Sequence, residues 1–224
     1  MAAATTKNIS EFQEKLLAWF ATNGRHFPWR ERRLTPYQTI IAEVLLQRTK
    51  AETVSKFYPK FIQHFPNWLA LSLANVSDIE HYLKPVGLYA QRSKRLKSLA
   101  LEMIKRNEVL PTDRRELESM PFMGQYMANA VELLLYDKPF PLLDVNMSRV
   151  LERYIGERTM ADIRYDPYLQ KLAFKVVKHN HSKELNWAIL DFAAITCKAR
   201  NPICKTCFLA RKCAFIKSVR RRLL

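Results

Sequence analysis

All four cysteines of this 224-residue chain lie in one short segment near its C-terminal end, and the 196 residues before that segment contain none. The four are Cys197, Cys204, Cys207 and Cys213, with the spacing C-x6-C-x2-C-x5-C. Cysteines this close together cannot cross-link distant parts of a fold. A hydrophobic core must therefore hold the chain, which is long enough to form one large domain or two small intertwined ones without disulfides.

The cysteine spacing predicts a local metal site. Four thiolates within about seventeen residues can close around one centre. Structural zinc usually shows two short C-x2-C knuckles, whereas only Cys204 and Cys207 form one here. A cubane iron–sulfur cluster is larger and accepts wider spacing, so the pattern favours it modestly over zinc. Two disulfides are the least favoured alternative, because nothing in the sequence indicates an oxidising compartment.

Apolar residues recur at helical spacing through most of the chain, and glycine is scarce, at four residues. The first apolar stripe consists of Phe12, Leu16, Trp19 and Phe20. Ser10 is the predicted N-cap of that helix, and a second helix is predicted from about Thr35 to Leu46. Further helices are predicted at about 50–65, 77–84, 90–107, 113–119, 125–136, 146–155, 166–178 and 184–194. No stretch alternates long enough to indicate a sheet, so we predict an all-α protein.

Basic residues outnumber acidic ones by 37 to 21, which gives a net charge of +16 and suits a polyanionic partner. No acidic residue follows Asp191, so the excess is concentrated around the cysteines and the C-terminus. We expect the basic residues between the cysteines to face phosphates, whereas Arg220 to Arg222 suit a solvated tail equally well. A hydrophobic content of 48 % excludes a disordered basic tail. Neither a secretory leader nor a membrane-spanning segment is expected.

Two local patterns can carry chemistry. Residues 117–131 predict a short helix, a tight turn ending in Gly124 and a second amphipathic helix. Such a turn directs the backbone N–H groups of a helix N-terminus toward a phosphate, although ordinary helix packing explains it too. Further on, Asp144 precedes a predicted helix, and a role as its N-cap would explain the aspartate without any function.

Together, three features resemble the endonuclease III and MutY group of helix-hairpin-helix (HhH-GPD) DNA glycosylases: the cysteine pattern, the hairpin, and the L-D-x-N-x-x-R-V string at 143–150. The resemblance covers about Phe27 to Cys213. It implies a two-lobed all-α fold with the active cleft between the lobes, one of residues 30–135 and one of 1–29 plus 136–224. It also implies one 4Fe-4S cluster on the four cysteines in the loop 197–213. Phe122 departs from the family's L-P-G-V-G hairpin, because it stands where the first glycine is expected.

The resemblance also implies catalytic roles. The aspartate that matches Asp144 is catalytic in the family, and a carboxylate at a helix N-terminus stays ionised and stabilises an oxocarbenium-like sugar. Glu43 resembles the glutamate that lines the base pocket and gives a proton or hydrogen bond to the leaving base. In the endonuclease III type, a lysine two residues after the last hairpin glycine forms a Schiff base. Here that residue is Tyr126, which has no amine and resembles the Mig-type mismatch glycosylases. From periodicity alone, Glu43 could equally be a surface residue and Tyr126 a half-buried helix aromatic.

Other residues match positions that contact DNA or the target base. These are Gln47, Arg48, Leu88, Tyr89, Met123, Gly124, Gln125 and Trp187. By analogy, Gln47 and Arg48 reach into the gap left by the extruded base, and Leu88 or Tyr89 wedges into the duplex. Trp187 falls where the family places a residue against the base, although without the analogy it suits a core position better.

The sequence thus predicts a monofunctional DNA glycosylase of base excision repair that flips thymine or uracil out of T:G and U:G mismatches and hydrolyses its glycosidic bond. Its expected partner is double-stranded DNA with mismatched or damaged bases, and we expect a cytoplasmic, nucleoid-associated monomer with no membrane partner. One alternative is an adenine glycosylase acting on A:G mismatches, and another is a non-catalytic DNA-binding iron–sulfur protein. MutY proteins carry an extra domain after the cluster, whereas this sequence ends eleven residues past Cys213, which favours the first prediction.

Overall fold

The computed structural model describes residues 6–222, and side chains from 8 to 219. Within that range the chain is built from α-helices and two short 3-10 turns, with no strand, which confirms the all-α prediction. The helices are α1 (Thr6–Asn23), α2 (Pro36–Leu46), α3 (Ala51–His64), α4 (Trp68–Leu73), α5 (Val76–Leu83), α6 (Tyr89–Lys105), α7 (Arg114–Ser119), α8 (Gln125–Leu134), α9 (Val145–Tyr154), α10 (Pro167–Val177), α11 (Ser182–Ile195) and α12 (Ala214–Arg222). None of these helices is long and apolar enough to span a membrane.

Local capping explains where α2 begins, and it corrects the predicted start of α1. The Thr35 hydroxyl accepts the Gln38 N–H and the Gln38 side chain accepts the Thr35 N–H, so the two form a capping box before Pro36. Ser10, in contrast, lies inside α1 rather than at its N-cap, and its hydroxyl donates to Glu14 Oε1 at 3.0 Å. The prediction of Ser10 as a cap was wrong because α1 already runs from Thr6, six residues before Phe12, the first residue of the apolar stripe.

Two helices were missed from the sequence. Helix α4 has only six residues, which is too short for periodicity to detect, and the Asn67 side chain caps it by accepting the Ala70 N–H at 2.8 Å. Helix α12 is strongly basic and has the sequence expected of a solvated tail. The alternatives for Arg220 to Arg222 concern side chains outside the described residues.

The helices form two compact units, each with its own core. One unit runs from His26 to Val131, and there α4 and α5 pack on α6 while α2 packs on α3. The other unit contains the described residues up to Arg25 together with those from Glu132 onward. In that unit α1 and α9 pack on α11, and Phe12 stacks on Tyr154 with ring centroids 4.7 Å apart. Asp191 on α11 is fully buried and paired with the Arg25 guanidinium.

A buried carboxylate fixes the loop before α10. Asp166 has no exposed surface and accepts hydrogen bonds from the Thr159, Met160 and Leu169 N–H groups and from the Thr159 hydroxyl, at 2.5–2.8 Å. Burial by itself raises the pKa of an aspartate, but these four donors outweigh it and hold the pKa of Asp166 at about 2. The carboxylate is therefore a structural cap of α10.

Replacing Asp166 with alanine is expected to lower the melting temperature at pH 7 by about 5 °C or more, because three backbone donors in a closed site lose their acceptor. Because the folded pKa is depressed, this stabilisation is fully present above the ordinary value of 3.8 and is lost as the pH falls toward 2. In melting curves, the difference in melting temperature between D166A and wild type should therefore be smaller at pH 3 than at pH 7. A constant difference between the curves would contradict the assignment of the ionised form.

Candidate active site

Asp144 is the N-cap of α9. Its Oδ1 accepts the N–H groups of Asn146 and Met147 at 2.9 and 2.8 Å, and its Oδ2 accepts the Asn146 side-chain amide at 2.6 Å. These bonds fix both carboxylate oxygens, so capping and a chemical role are compatible at this position.

Burial changes the expected electrostatics of Asp144. Desolvation raises the pKa of this carboxyl above its ordinary 3.8, against the opposing effects of the Met147 and Asn146 hydrogen bonds and the Arg149 charge. From the sequence we expected the helix N-terminus to keep Asp144 ionised. That expectation left out desolvation, which is the largest effect on the pKa of this carboxyl. A carboxylate whose charge is costly in the empty protein is well suited to meet a developing positive charge.

A residue that the sequence analysis missed positions the segment leading to Asp144. Asn186 on α11 is fully buried, its Oδ1 accepts the Leu142 N–H at 2.7 Å, and its Nδ2 donates to the Phe140 carbonyl at 3.3 Å. The available signal was an asparagine on the apolar face of a helix, three residues before Ile189. The neighbouring Trp187 is half-buried.

Arg149 links the aspartate to the first cysteine. Its Nη1 donates to Asn146 Oδ1 at 3.1 Å, and Asn146 in turn donates to Asp144. Its Nε and Nη2 donate to the carbonyls of Cys197 and Ala193 at 2.9 and 3.1 Å. One guanidinium therefore fixes both the partner of Asp144 and the start of the cysteine segment.

The four cysteines line one pocket whose other walls are mainly apolar. All four are half-buried, and none of them forms a disulfide. Arg153 supplies positive charge there, with Nη1 at 3.6 Å from Cys197 Sγ. Burial raises the pKa of the Cys207 and Cys213 thiols. Among residues 8–219 no three His, Cys, Asp or Glu side chains gather closely enough to hold a single metal ion.

This donor set fits an iron–sulfur cluster. Thiolates are the usual cluster ligands, an apolar wall limits access of water, and a nearby guanidinium offsets the negative charge. The basic residues Lys198, Arg200, Lys205 and Arg211 between the cysteines are exposed. Lys212 differs, because its ammonium is paired with Glu11.

Glu43 and Tyr126 are 83 residues apart in sequence and in contact in the structure. Glu43 on α2 is buried, with 4 % of its surface exposed, and its Oε2 accepts the Tyr126 hydroxyl at 3.0 Å. Tyr126 is half-buried in the first turn of α8. Two residues singled out on separate motifs thus form one hydrogen-bonded pair.

The hairpin keeps a left-handed backbone at Phe122, where φ is 71°. A bulky residue is strained in this conformation. Burial of the Phe122 ring and the Arg95 guanidinium, 4.2 Å from the ring centroid, offset the free energy of that strain. Met123 is fully buried and its N–H donates to the Met120 carbonyl, so it offers DNA neither side chain nor donor and is a packing residue. Gly124 is exposed, and a Cβ there would meet nothing within 4 Å.

The remaining predicted DNA contacts lie at the surface of the same unit. Gln47 is half-buried and Arg48 exposed, while Leu88 and Tyr89 keep 50 % and 42 % of their surface exposed. The two segments are joined, since the Thr49 hydroxyl donates to the Val86 carbonyl at 3.0 Å. Gln125 is exposed at the start of α8.

Comparison with known proteins identifies the superfamily of this chain. The model of the HhH-GPD superfamily of base excision DNA repair proteins matches residues 41–179, and the chain belongs to that superfamily. The matched range includes Glu43, the hairpin, Tyr126 and Asp144.

Individual relatives are similar along nearly the whole chain. The thymine/uracil-DNA glycosylase of Pyrobaculum aerophilum is 34 % identical over 220 residues, which are 96 % of this chain and 95 % of that protein. The thymine/uracil-DNA glycosylase of Methanothermobacter thermautotrophicus is 33 % identical over 219 residues, which are 96 % and 97 % of the two chains. The solved structure of a thermostable thymine-DNA glycosylase matches with a TM-score of 0.87 at 31 % identity, covering 96 % of this chain and all of the other.

Proposed function

We propose that this chain is a monofunctional DNA glycosylase that removes thymine or uracil from T:G and U:G mismatches by hydrolysis. The observation that carries the proposal is the Tyr126–Glu43 hydrogen bond. The sequence resemblance matches Tyr126 to the lysine that attacks the sugar in the endonuclease III type, and the Tyr126 hydroxyl donates to a buried carboxyl group. A phenol cannot form a Schiff base, so strand cleavage by that route is not expected, and we infer that water is the nucleophile. The relatives that act on thymine and uracil support the base preference.

Asp144 would act on the sugar. Cleavage of the glycosidic bond leaves positive charge on the sugar ring, and a nearby carboxylate stabilises that charge. The same carboxylate can orient the water that reacts with the ring. The three hydrogen bonds from Asn146 and Met147 fix both oxygens before the substrate arrives, so little reorganisation is needed at the moment of reaction.

Glu43 would act on the leaving base. A buried carboxyl group can donate a proton or a hydrogen bond to a base oxygen or nitrogen as the glycosidic bond breaks. Tyr126 restricts the rotamer of Glu43 through its 3.0 Å hydrogen bond, so its role is to position the acid.

The partner would be double-stranded DNA, bound by a monomer associated with the nucleoid. The exposed basic residues between the cysteines supply phosphate contacts, and Gly124 leaves the hairpin open to close approach by the backbone of DNA. Cys197, Cys204, Cys207 and Cys213 would hold one 4Fe-4S cluster, which fixes the shape of this basic loop and supplies no step of the hydrolysis.

The proposal is tested by single-turnover base release from labelled duplexes. The target is T or U opposite G, an oxidised pyrimidine opposite G, or A opposite G or oxidised G, and each product is analysed with and without alkali. We expect release of T and U from pairs with G, and strand breaks only after alkali.

Each other outcome points to a specific alternative. Release of adenine would place the protein with the adenine glycosylases, and breaks without alkali would overturn the hydrolytic role of water. Binding to every duplex with release from none would favour the non-catalytic iron–sulfur protein.

A further inference from the structure

Arg92 on α6 is a buried arginine that bonds uncharged oxygens. It is 4 % exposed; its Nη2 donates to the Gln47 carbonyl at 2.7 Å and lies 3.5 Å from the Thr49 hydroxyl, while its Nη1 lies 3.4 Å from the Val86 carbonyl. Among the described residues no carboxylate pairs with it. Burying a guanidinium without a counter-ion costs free energy. The hydrogen bonds that Arg92 makes to two separate segments must offset that cost.

Those two segments are the ones predicted to enter DNA, and we call them the insertion loops: Gln47–Thr49 and Val86–Leu88. Arg92 bonds a carbonyl in each loop, and Thr49 Oγ1 bridges the loops a second time by donating to Val86. Both contacts are to the backbone, so they set the spacing of the loops whatever side chains the loops carry.

Each insertion loop also contains a strained residue. Arg48 has φ of 56° and Leu88 has φ of 51°, a left-handed conformation that non-glycine residues adopt at a cost. Such strain persists where the surroundings fix the backbone more firmly than its own preference does, and it concentrates at functional sites. Arg92 and Thr49 supply that fixing, and both strained side chains are exposed.

We propose that Arg92 is a positioning residue that holds the two insertion loops at one separation, so that they enter the base stack together as a rigid pair. The inference rests on the proposed function, since it needs a duplex from which a base is extruded. It predicts that loss of Arg92 slows the opening of a stacked pair much more than it slows bond cleavage.

The test compares two substrates and three variants. One duplex carries T opposite G, and the other carries the same T unpaired in a three-nucleotide bubble, where little stacking has to be broken. R92K keeps the charge but cannot reach both carbonyls, and R92M removes the donors altogether. K97M is the matched control, because Lys97 on the same helix donates to the Ser72 and Ala74 carbonyls, which lie in neither insertion loop.

We expect R92K to lower the single-turnover rate on the T:G duplex by about 10- to 100-fold and the rate on the bubble by less than about twofold. The fluorescence rise of 2-aminopurine beside the target should slow by the same factor as the duplex rate. K97M should keep the wild-type ratio of the two rates. R92M removes the Arg92 donors to the Gln47 and Val86 carbonyls, and Val86 then keeps only the Thr49 hydroxyl. Because this variant can fail to fold, melting curves qualify each variant and R92K carries the test.

A double-mutant cycle with L88A locates the effect. If Arg92 acts through the insertion loops, adding R92K to L88A should slow the duplex reaction by less than R92K slows wild type. Equal losses on duplex and bubble, or the same ratio change in K97M, would overturn the inference while leaving the function intact. A wild-type protein inactive on both substrates would refute the proposed function, and the inference with it.

Discussion

Replacing Asp144 with asparagine is expected to reduce base release from a T:G duplex by about 1,000-fold or more while duplex binding persists, because the variant loses the charge that stabilises the sugar cation. Asparagine is an equally good N-cap, and its oxygen can still accept the Asn146 and Met147 N–H groups. Single-turnover kinetics and binding titrations on the same duplex measure both quantities.

The same variant should change how stability depends on pH. Burial raises the folded pKa of Asp144 above 3.8, so near these pH values the folded state binds more protons than the unfolded chain. The contribution of Asp144 to stability therefore falls as the pH rises from 3.8 through the folded pKa. Asparagine does not titrate. The melting temperature of D144N relative to wild type should therefore increase from pH 4 to pH 7.

Asp162 provides a matched control. It is an aspartate of the same unit, paired with Arg164, and that pairing lowers its pKa to about 2. D162N should leave base release unchanged, and its stability relative to wild type should change with pH in the opposite sense. Full activity of D144N would sink the assignment of Asp144, and equal losses in D144N and D162N would indicate a general defect.

Replacing Glu43 with glutamine is expected to slow base release by about 100-fold, since glutamine keeps the shape and can still accept the Tyr126 hydroxyl but has no proton to give a leaving base. Y126F should cost less, about tenfold, because it removes only the hydrogen bond that orients the acid. In the E43Q background Y126F should have little further effect, because both changes then act on one step.

Glu132 supplies the control for E43Q. It is also a buried glutamate, with 3 % of its surface exposed, and it pairs with Lys138 at 2.7 Å. E132Q should lower the melting temperature and leave the rate of base release unchanged. If E43Q and E132Q slowed release alike, Glu43 would be a structural residue only. Fully additive losses in the E43Q/Y126F double variant would separate the two residues functionally.

Local sequence patterns predicted those parts of the molecule whose causes are local. Thr35 and Pro36 mark the start of α2, and Asp144 the start of α9, because capping depends on residues within one turn. The cysteine spacing likewise predicted a single local site, because all four cysteines fall on one short segment, and they line one pocket.

Local sequence patterns did not predict contacts between residues that are far apart in the sequence. Asn186 and Arg92 look like ordinary polar residues of amphipathic helices, and only the folded chain shows which carbonyls they hold. Family resemblance named Glu43 and Tyr126 separately but gave no contact between them. It also placed Met123 at the DNA surface, where the fold buries it, because a hairpin motif records backbone shape and not which side chain turns inward.

The early position of α1 in the chain has a consequence for biosynthesis. Helix α1 is synthesised before the other helices of the described residues, yet it packs on α11. Gln13 bonds the Val176 carbonyl, and Arg25 pairs with Asp191, 166 residues later. During translation the unit from His26 to Val131 can close while the apolar stripe of α1 still lacks its partner. A ribosome stalled before α11 is synthesised should therefore carry an N-terminal helix whose apolar stripe is exposed and prone to aggregation.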